Sequence, residues 1–184
     1  MQQTIKKRLF AFGTHLAISA LVGTLIFALI YFVWFPKPYF LLTSGRELFL
    51  LLLGCDTVLG PLLTLVIFNI LKPRRELRRD LILIACIQLM ALAYGLQVIF
   101  EVRPLYIVFN GDQFNVVAAA EVTTNPKLGG AKTFALRSLM GPQIVGAILP
   151  ENTEERQAIL WSSVGGGPDL ARMPKYFVPY DQIK

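Results

Sequence analysis

The sequence is short of the side chains from which enzymes and metal centres are built. It contains one histidine, His15, and two cysteines, Cys55 and Cys86. A lone histidine with no Cys, Asp or Glu at ligand spacing makes no metal site, so His15 reads as a hydrogen-bonded packing residue. From residue 101 onward there is neither histidine nor cysteine. That removes the usual base and the thiol of a nucleophilic site. A Ser–Lys arrangement through Ser138, Ser162 or Ser163 has no spacing to recommend it. The expectation is a protein with no catalytic residue, no metal and no cofactor. The "GGGPD" run at 165–169 superficially suggests a phosphate loop, but it follows a helix-like stretch and no Lys-Ser/Thr comes after it. It reads as a helix stop. Internal repeats and low-complexity stretches are also missing.

Charge is scarce as well. Charged residues make up 16% of the chain and apolar ones 54%, against about 25% and about 45–50% in soluble domains. The apolar excess is concentrated in residues 1–100, in three runs at about 9–35, 48–71 and 81–100. Each holds at least about 20 residues and so reaches about 30 Å as a helix, the thickness of a bilayer's hydrocarbon core. In lipid the backbone must satisfy its own hydrogen bonds, so all three are expected to be transmembrane helices. The first is too long for the apolar part of a signal peptide and ends in "YFVWFPKPYF" without a small-residue cleavage site. It reads as a retained anchor.

Positive charge sets the expected orientation. Lys6, Lys7 and Arg8 precede the first run, and "KPRRELRRD" at 72–80 forms a strongly basic loop between the second and third. The loop between the first two has only Lys37 and Arg46. The positive-inside rule puts the amino terminus and loop 72–80 in the cytoplasm and residues 101–184 on the far side. Residues 1–100 hold ten Lys/Arg and four Asp/Glu, whereas 101–184 hold eight of each. The net charge of +6 is therefore a membrane-topology signal and not an advertisement for nucleic acid. Cys55 and Cys86 are expected more than about 10 Å apart in depth, out of disulfide reach, and read as small apolar packing residues.

Residues 101–184 read as a small α/β unit. "PLYIVFN", the turn pair "GD" and "QFNVVAAAEV" form an expected β-hairpin, and "IVGAILP" is a further strand. "TTNPKLGGAK" is loop chemistry. "NTEERQAILWSSV" has helix-start signals in Asn152 or Thr153 with Glu154 and Glu155, and Ile159, Leu160 and Val164 would be its buried face. "MPKYFVPY" looks extended. About 80 residues without a disulfide sit at the margin of independent stability, so the unit is expected to dock on the membrane surface, on the short outer loop or on a partner.

One acid lies inside a span. Asp56, in "GCDTVLGPLLTLVIF", would cost about 2.5–3.5 kcal/mol or more if left ionised and bare in lipid. Tyr94 lies at a similar depth and Gln97 one turn further out. Three readings follow: a hydrogen-bonded pair of Asp56 with Tyr94 or Gln97, a polar grip for another protein's transmembrane helix, or a proton relay. The last lacks a second carboxylate within the spans. Gly60-Pro61 in mid-helix frees a backbone carbonyl and bends the helix. With Gly54, Thr57 and Thr64 it makes a small-residue stripe fit for packing within the bundle or for an external dock.

Several segments carry a resemblance. "FGTHLAIS" (12–19), "LLLGCDTVLGPLLTLVIFN" (51–69), "QLMALAYGL" (88–96), "RPLYIVF" (103–109), "LMGPQIVGAILP" and "GGGPDLARMPKYFVPY" are similar to type IV pilin accessory proteins of the TfpX/TfpZ family, over nearly the whole chain. The motif positions are His15, Asp56, Gly60, Pro61, Tyr94, Gly95, Arg103 and Pro104. Tyr106 falls in the same exported segment. The resemblance implies a bacterial inner-membrane protein that stabilises a type IV major pilin and assists pilus assembly, meeting both the pilin's transmembrane helix and its periplasmic head. Family members commonly continue past the "VPY" segment, so the exported unit is expected to be a short or truncated version. The rival expectation, from Asp56 alone, is a small membrane transport or immunity-type protein.

Overall fold

The structure is a computed structural model and describes residues 2–68, 72–123 and 141–183, with side chains from Ile5 on. Three helices are long and apolar enough to cross a membrane: Ile5–Trp34, Gly45–Ile67 and Arg74–Glu101. They are followed by a small mixed sheet with one helix.

The first span is α1 (Gln2–Leu29), continued by a π-helical turn at Ile30–Trp34. A single turn, α2 (Tyr39–Leu42), precedes the second span. That span is α3 (Gly45–Gly54), a π-helical turn at Cys55–Leu59, and α4 (Gly60–Ile67). The third is α5 (Arg74–Glu101). It starts seven residues before the sequence-based boundary at 81, inside the stretch read as a loop. The cause is local: Pro73 offers its carbonyl to Leu77 N–H at 3.1 Å as the first helical bond. The residues that follow, Arg, Glu and Leu, are strong helix formers. The sequence-based end of the second span at Leu71 lies outside the described residues, as do Ser138 and the "TTNPKLGGAK" loop beyond Thr123.

The chain divides into two compact units, one of residues 1–31 and 44–99, the other of 32–43 and 100–184. In the first, only 11%, 17% and 11% of the most apolar window of each span is buried, so most of the apolar side-chain surface faces outward, as helices in lipid require. Glycines let the spans touch. A Cβ on Gly23 of α1 would meet Leu53 of α3 at 2.7 Å, and one on Gly95 of α5 would meet Leu52 at 2.5 Å.

The second unit is a four-stranded sheet in the order β2-β1-β3-β4, with β1 Pro104–Phe109, β2 Phe114–Ala118, β3 Gln143–Ala147 and β4 Phe177–Pro179. The hairpin β1–β2 is antiparallel, pairing Ile107 with Val116 and Phe109 with Phe114. Gly111 takes φ +102° in its turn, a conformation open chiefly to glycine. β1 and β3 run parallel, Ile107 opposite Ile144. Leu105, Tyr106, Ile107 and Val108 are all buried, which is why this strand reads as an unbroken apolar run instead of alternating. Pro179 is tolerated because β4 is an edge strand.

The helix α6 (Thr153–Val164) is capped as expected, Glu154 N–H donating to Asn152 Oδ1 at 2.8 Å, and it ends at Gly165. Its buried face differs from the sequence-based one. Ile159 is buried, but Leu160 and Val164 are 58% and 79% exposed. The inward stripe is Glu155–Ile159–Ser162, fixed by Glu155 reaching Lys175 and Tyr176 and by Ser162 Oγ donating to Pro168 O at 2.9 Å. Segment 32–43 is part of this unit: Gly141 N–H donates to Val33 O at 2.9 Å, and Trp34 meets Phe100 edge-on at 5.1 Å. A Cβ on Gly141 would also lie 3.4 Å from Pro36, so this unit meets the connection between the first two spans.

Candidate functional site

The region around Asp56 is built by an irregularity in the second span. Pro61 has no N–H to donate back to Thr57, and its ring crowds that carbonyl. The preceding turn, Cys55–Leu59, is π-helical, which fits one extra residue into the turn and is a frequent device at functional sites. Asp56 stands in this turn. The Thr57 hydroxyl is buried there with no hydrogen-bond partner.

A groove of about 460 Å³ runs between this span and α5, and its lining includes Cys55, Asp56, Gly60, Gln88, Tyr94 and Gly95, with leucine and isoleucine side chains supplying most of the rest. Four of the residues singled out from sequence, Asp56, Gly60, Tyr94 and Gly95, therefore share one surface. Gln97 is exposed on α5 outside the groove. Tyr94 is 70% exposed, so its hydroxyl is open to whatever occupies the groove. Cys55 and Cys86 are free and both exposed. This corrects their reading as packing residues: Cys55 is a wall of the groove.

Behind the groove the three spans are tied together. His15 Nδ1 of α1 lies 2.6 Å from Thr64 Oγ1 of α4, and the Thr64 hydroxyl donates to Gly60 O at 3.2 Å. Using both contacts makes the imidazole the donor through Nδ1–H. The Gln88 amide of α5 packs onto the open side of Gly60, where any Cβ would overlap it. Gly60 and Thr64 thus serve packing within the bundle, whereas a Cβ on Gly54 would meet nothing. The sequence reading gave His15 a hydrogen-bonded packing role without naming its partner; that partner, Thr64, comes from the packing of α1 on α4.

Arg103, Pro104 and Tyr106 belong to the other unit and are all buried. Arg103 Nη1 donates to Phe100 O at 2.5 Å, and its guanidinium lies 3.5 Å from the Phe100 ring centroid. It satisfies a last-turn carbonyl of α5 and sets a cation at that helix's negative end. Burial lowers the Arg103 pKa and raises that of the Tyr106 phenol. Tyr106 packs edge-on against Phe177 at 5.2 Å. Within this unit these residues serve packing. Exposed apolar surface of this unit lies instead at Leu160, Trp161 and Val164 of α6 and at Phe114 of β2. Among the described residues no three His, Cys, Asp or Glu side chains gather as metal ligands.

Three spans long and apolar enough to cross a membrane, a carboxylate facing a groove between two of them, and a small sheet unit define a helical membrane-type protein. The family model for the fimbrial assembly protein FimB matches residues 3–44. Among relatives from Dichelobacter nodosus, the fimbrial assembly protein of serogroup I is 32% identical over 168 residues, which is 91% of this chain and 65% of that protein. That of serogroup E1 is 31% identical over the same length. That of serogroups C1 and C2 is 37% identical over 110 residues, 60% of this chain and 84% of that protein. The chain belongs to this fimbrial assembly protein family. It spans 65% of the length of the first two relatives. No solved structure matches it.

Proposed function

We propose that the protein is an inner-membrane accessory factor of the TfpX/TfpZ kind that stabilises a type IV major pilin and assists its assembly into pili. The observation that carries this reading is the Asp56 groove, taken with the fimbrial assembly relatives. The groove is apolar along its length, interrupted by Asp56, Gln88 and Tyr94. An apolar transmembrane helix fits such a surface, and the polar groups fix its register. The pilin helix lies in the groove, and the pilin head meets the exported α/β unit through the Trp161 side of α6. The amino terminus is cytoplasmic and the α/β unit periplasmic.

Deleting the gene in its own host is expected to lower the steady-state level of the major pilin and to abolish or strongly reduce surface piliation. Photocrosslinking from position 94 is expected to capture the pilin. Unchanged pilin abundance with normal piliation would refute the proposal.

A further inference from the structure

The amino-terminal end of α5 gathers cations that have no carboxylate partner among the described residues. Arg74, Arg75, Arg78 and Arg79 fall within its first six residues. The ion pairs among the described residues are Lys72–Asp80 at 2.6 Å, Arg172–Glu121 and Lys175–Glu155. Asp80 is therefore taken by Lys72, and none of the four arginines is in a salt bridge. They also stand at the positive end of the helix dipole, where cations are unfavourable and an anion is favourable.

Arg74 and Arg78, one turn apart, form the polar end of a shallow, open depression on the surface of α5 that also takes in Leu77, Leu81, Ile82 and Ala85. Positions 74, 78, 81 and 85 recur at helical spacing, so they fall on one face. Along that face the chemistry changes once, from two guanidinium groups to aliphatic side chains, and Ala85 lies about 10 Å beyond Arg78. A free phosphate would use the arginines and leave the aliphatic floor bare. An amphiphile with an anionic head and an apolar chain uses both, and this helix is long and apolar enough to cross a membrane. We propose that this face of α5 binds one anionic glycerophospholipid. The forked donors of Arg74 and Arg78 hold its phosphate, and an acyl chain lies along Leu77, Leu81, Ile82 and Ala85. The site is separate from the Asp56 groove and independent of the pilin proposal.

The test uses the purified, delipidated full-length protein in detergent, with phosphatidylglycerol or phosphatidylcholine added and bound lipid counted by native mass spectrometry. Phosphatidylglycerol is expected to bind at least about tenfold more tightly. The double variant Arg74→Gln/Arg78→Gln is expected to lose about tenfold or more of that affinity, since each arginine near a lipid surface contributes about fivefold. Arg75→Gln/Arg79→Gln removes the same charge from the adjoining face and is expected to keep the headgroup preference. Ala85→Trp fills the acyl floor without touching the arginines and is expected to weaken binding to a similar degree, which covers the case in which the arginine variant fails to fold. Equal binding of the two lipids, equal losses in the two arginine variants, displacement of phosphatidylglycerol by inorganic phosphate, or an Ala85→Trp protein with unchanged affinity would each overturn the proposal.

Discussion

Thr64 and Tyr106 show how single side chains anchor the two units. Thr64 has one hydroxyl for two jobs, donating to Gly60 O and receiving His15. It thereby links α1 to the irregular second span at the level where Gly60 admits Gln88. Tyr106 is fully buried, and its phenol must stay neutral there because burial penalises the ionised form. The sign of the pH dependence follows. The unfolded chain loses this proton near the ordinary value of 10.0, whereas the folded chain holds it to higher pH. The unfolded state thus binds fewer protons in that window, and stability falls as pH rises above about 10. The thermal midpoint of the wild-type protein in detergent is expected to drop further between about pH 9 and about pH 11 than that of Tyr106→Phe, which has no phenol to titrate. Parallel drops in the two proteins would remove Tyr106 as the cause.

At the scale of elements, α6 separates structural from surface roles within three adjacent residues. Ile159 is 5% exposed, and Trp161 is 74% exposed. Ile159→Ala should cost about 2–4 kcal/mol of unfolding free energy through the cavity it leaves. Trp161→Ala should stay within about 0.5 kcal/mol, as surface changes do. Denaturant or thermal unfolding of both variants checks the pair, and a larger loss at Trp161 would mean that α6 packs on the face containing Leu160 and Val164. That face is the one the sequence suggests, since 159, 160 and 164 are the apolar positions. What hydropathy omits is that Glu155 and Ser162 turn inward for hydrogen bonds. Elsewhere the elements were legible for definite reasons. The three spans follow from run length, the hairpin from β-branched runs around Gly111, and the α6 start from Asn152. The early start of α5 was hidden because charge marks a helix end in a membrane as readily as a loop. The parallel pairing of β1 with β3 is a long-range choice that neither strand encodes. The candidate site was legible in its members Asp56, Gly60 and Tyr94, but that they line one groove, and that His15 reaches Thr64, depend on the three spans packing together.

At the scale of the whole molecule, charge is partitioned along the chain, and that partition makes a topological prediction. Ten of the 18 Lys/Arg lie in residues 1–100, eight of them at 6–8 and 72–79, at the ends of the spans. Three spans are an odd number, so the two termini of the chain must fall on opposite sides of any membrane that all three cross. Basic residues close to span ends are retained on the cytoplasmic side, which predicts residues 72–79 inside and the residues after Glu101 outside. Alkaline phosphatase fused after Lys184 is accordingly expected to be active. The same enzyme fused after Arg79 should be inactive, and a β-galactosidase fusion there active. The fusion pair also discriminates between spans: if one of the three helices lies along the surface and does not cross, the carboxyl-terminal fusion goes silent while remaining stably expressed. A pilin head could then no longer meet the α/β unit on the outer side. That single result would remove the exported half of the proposed interaction and leave the Asp56 groove to be tested alone.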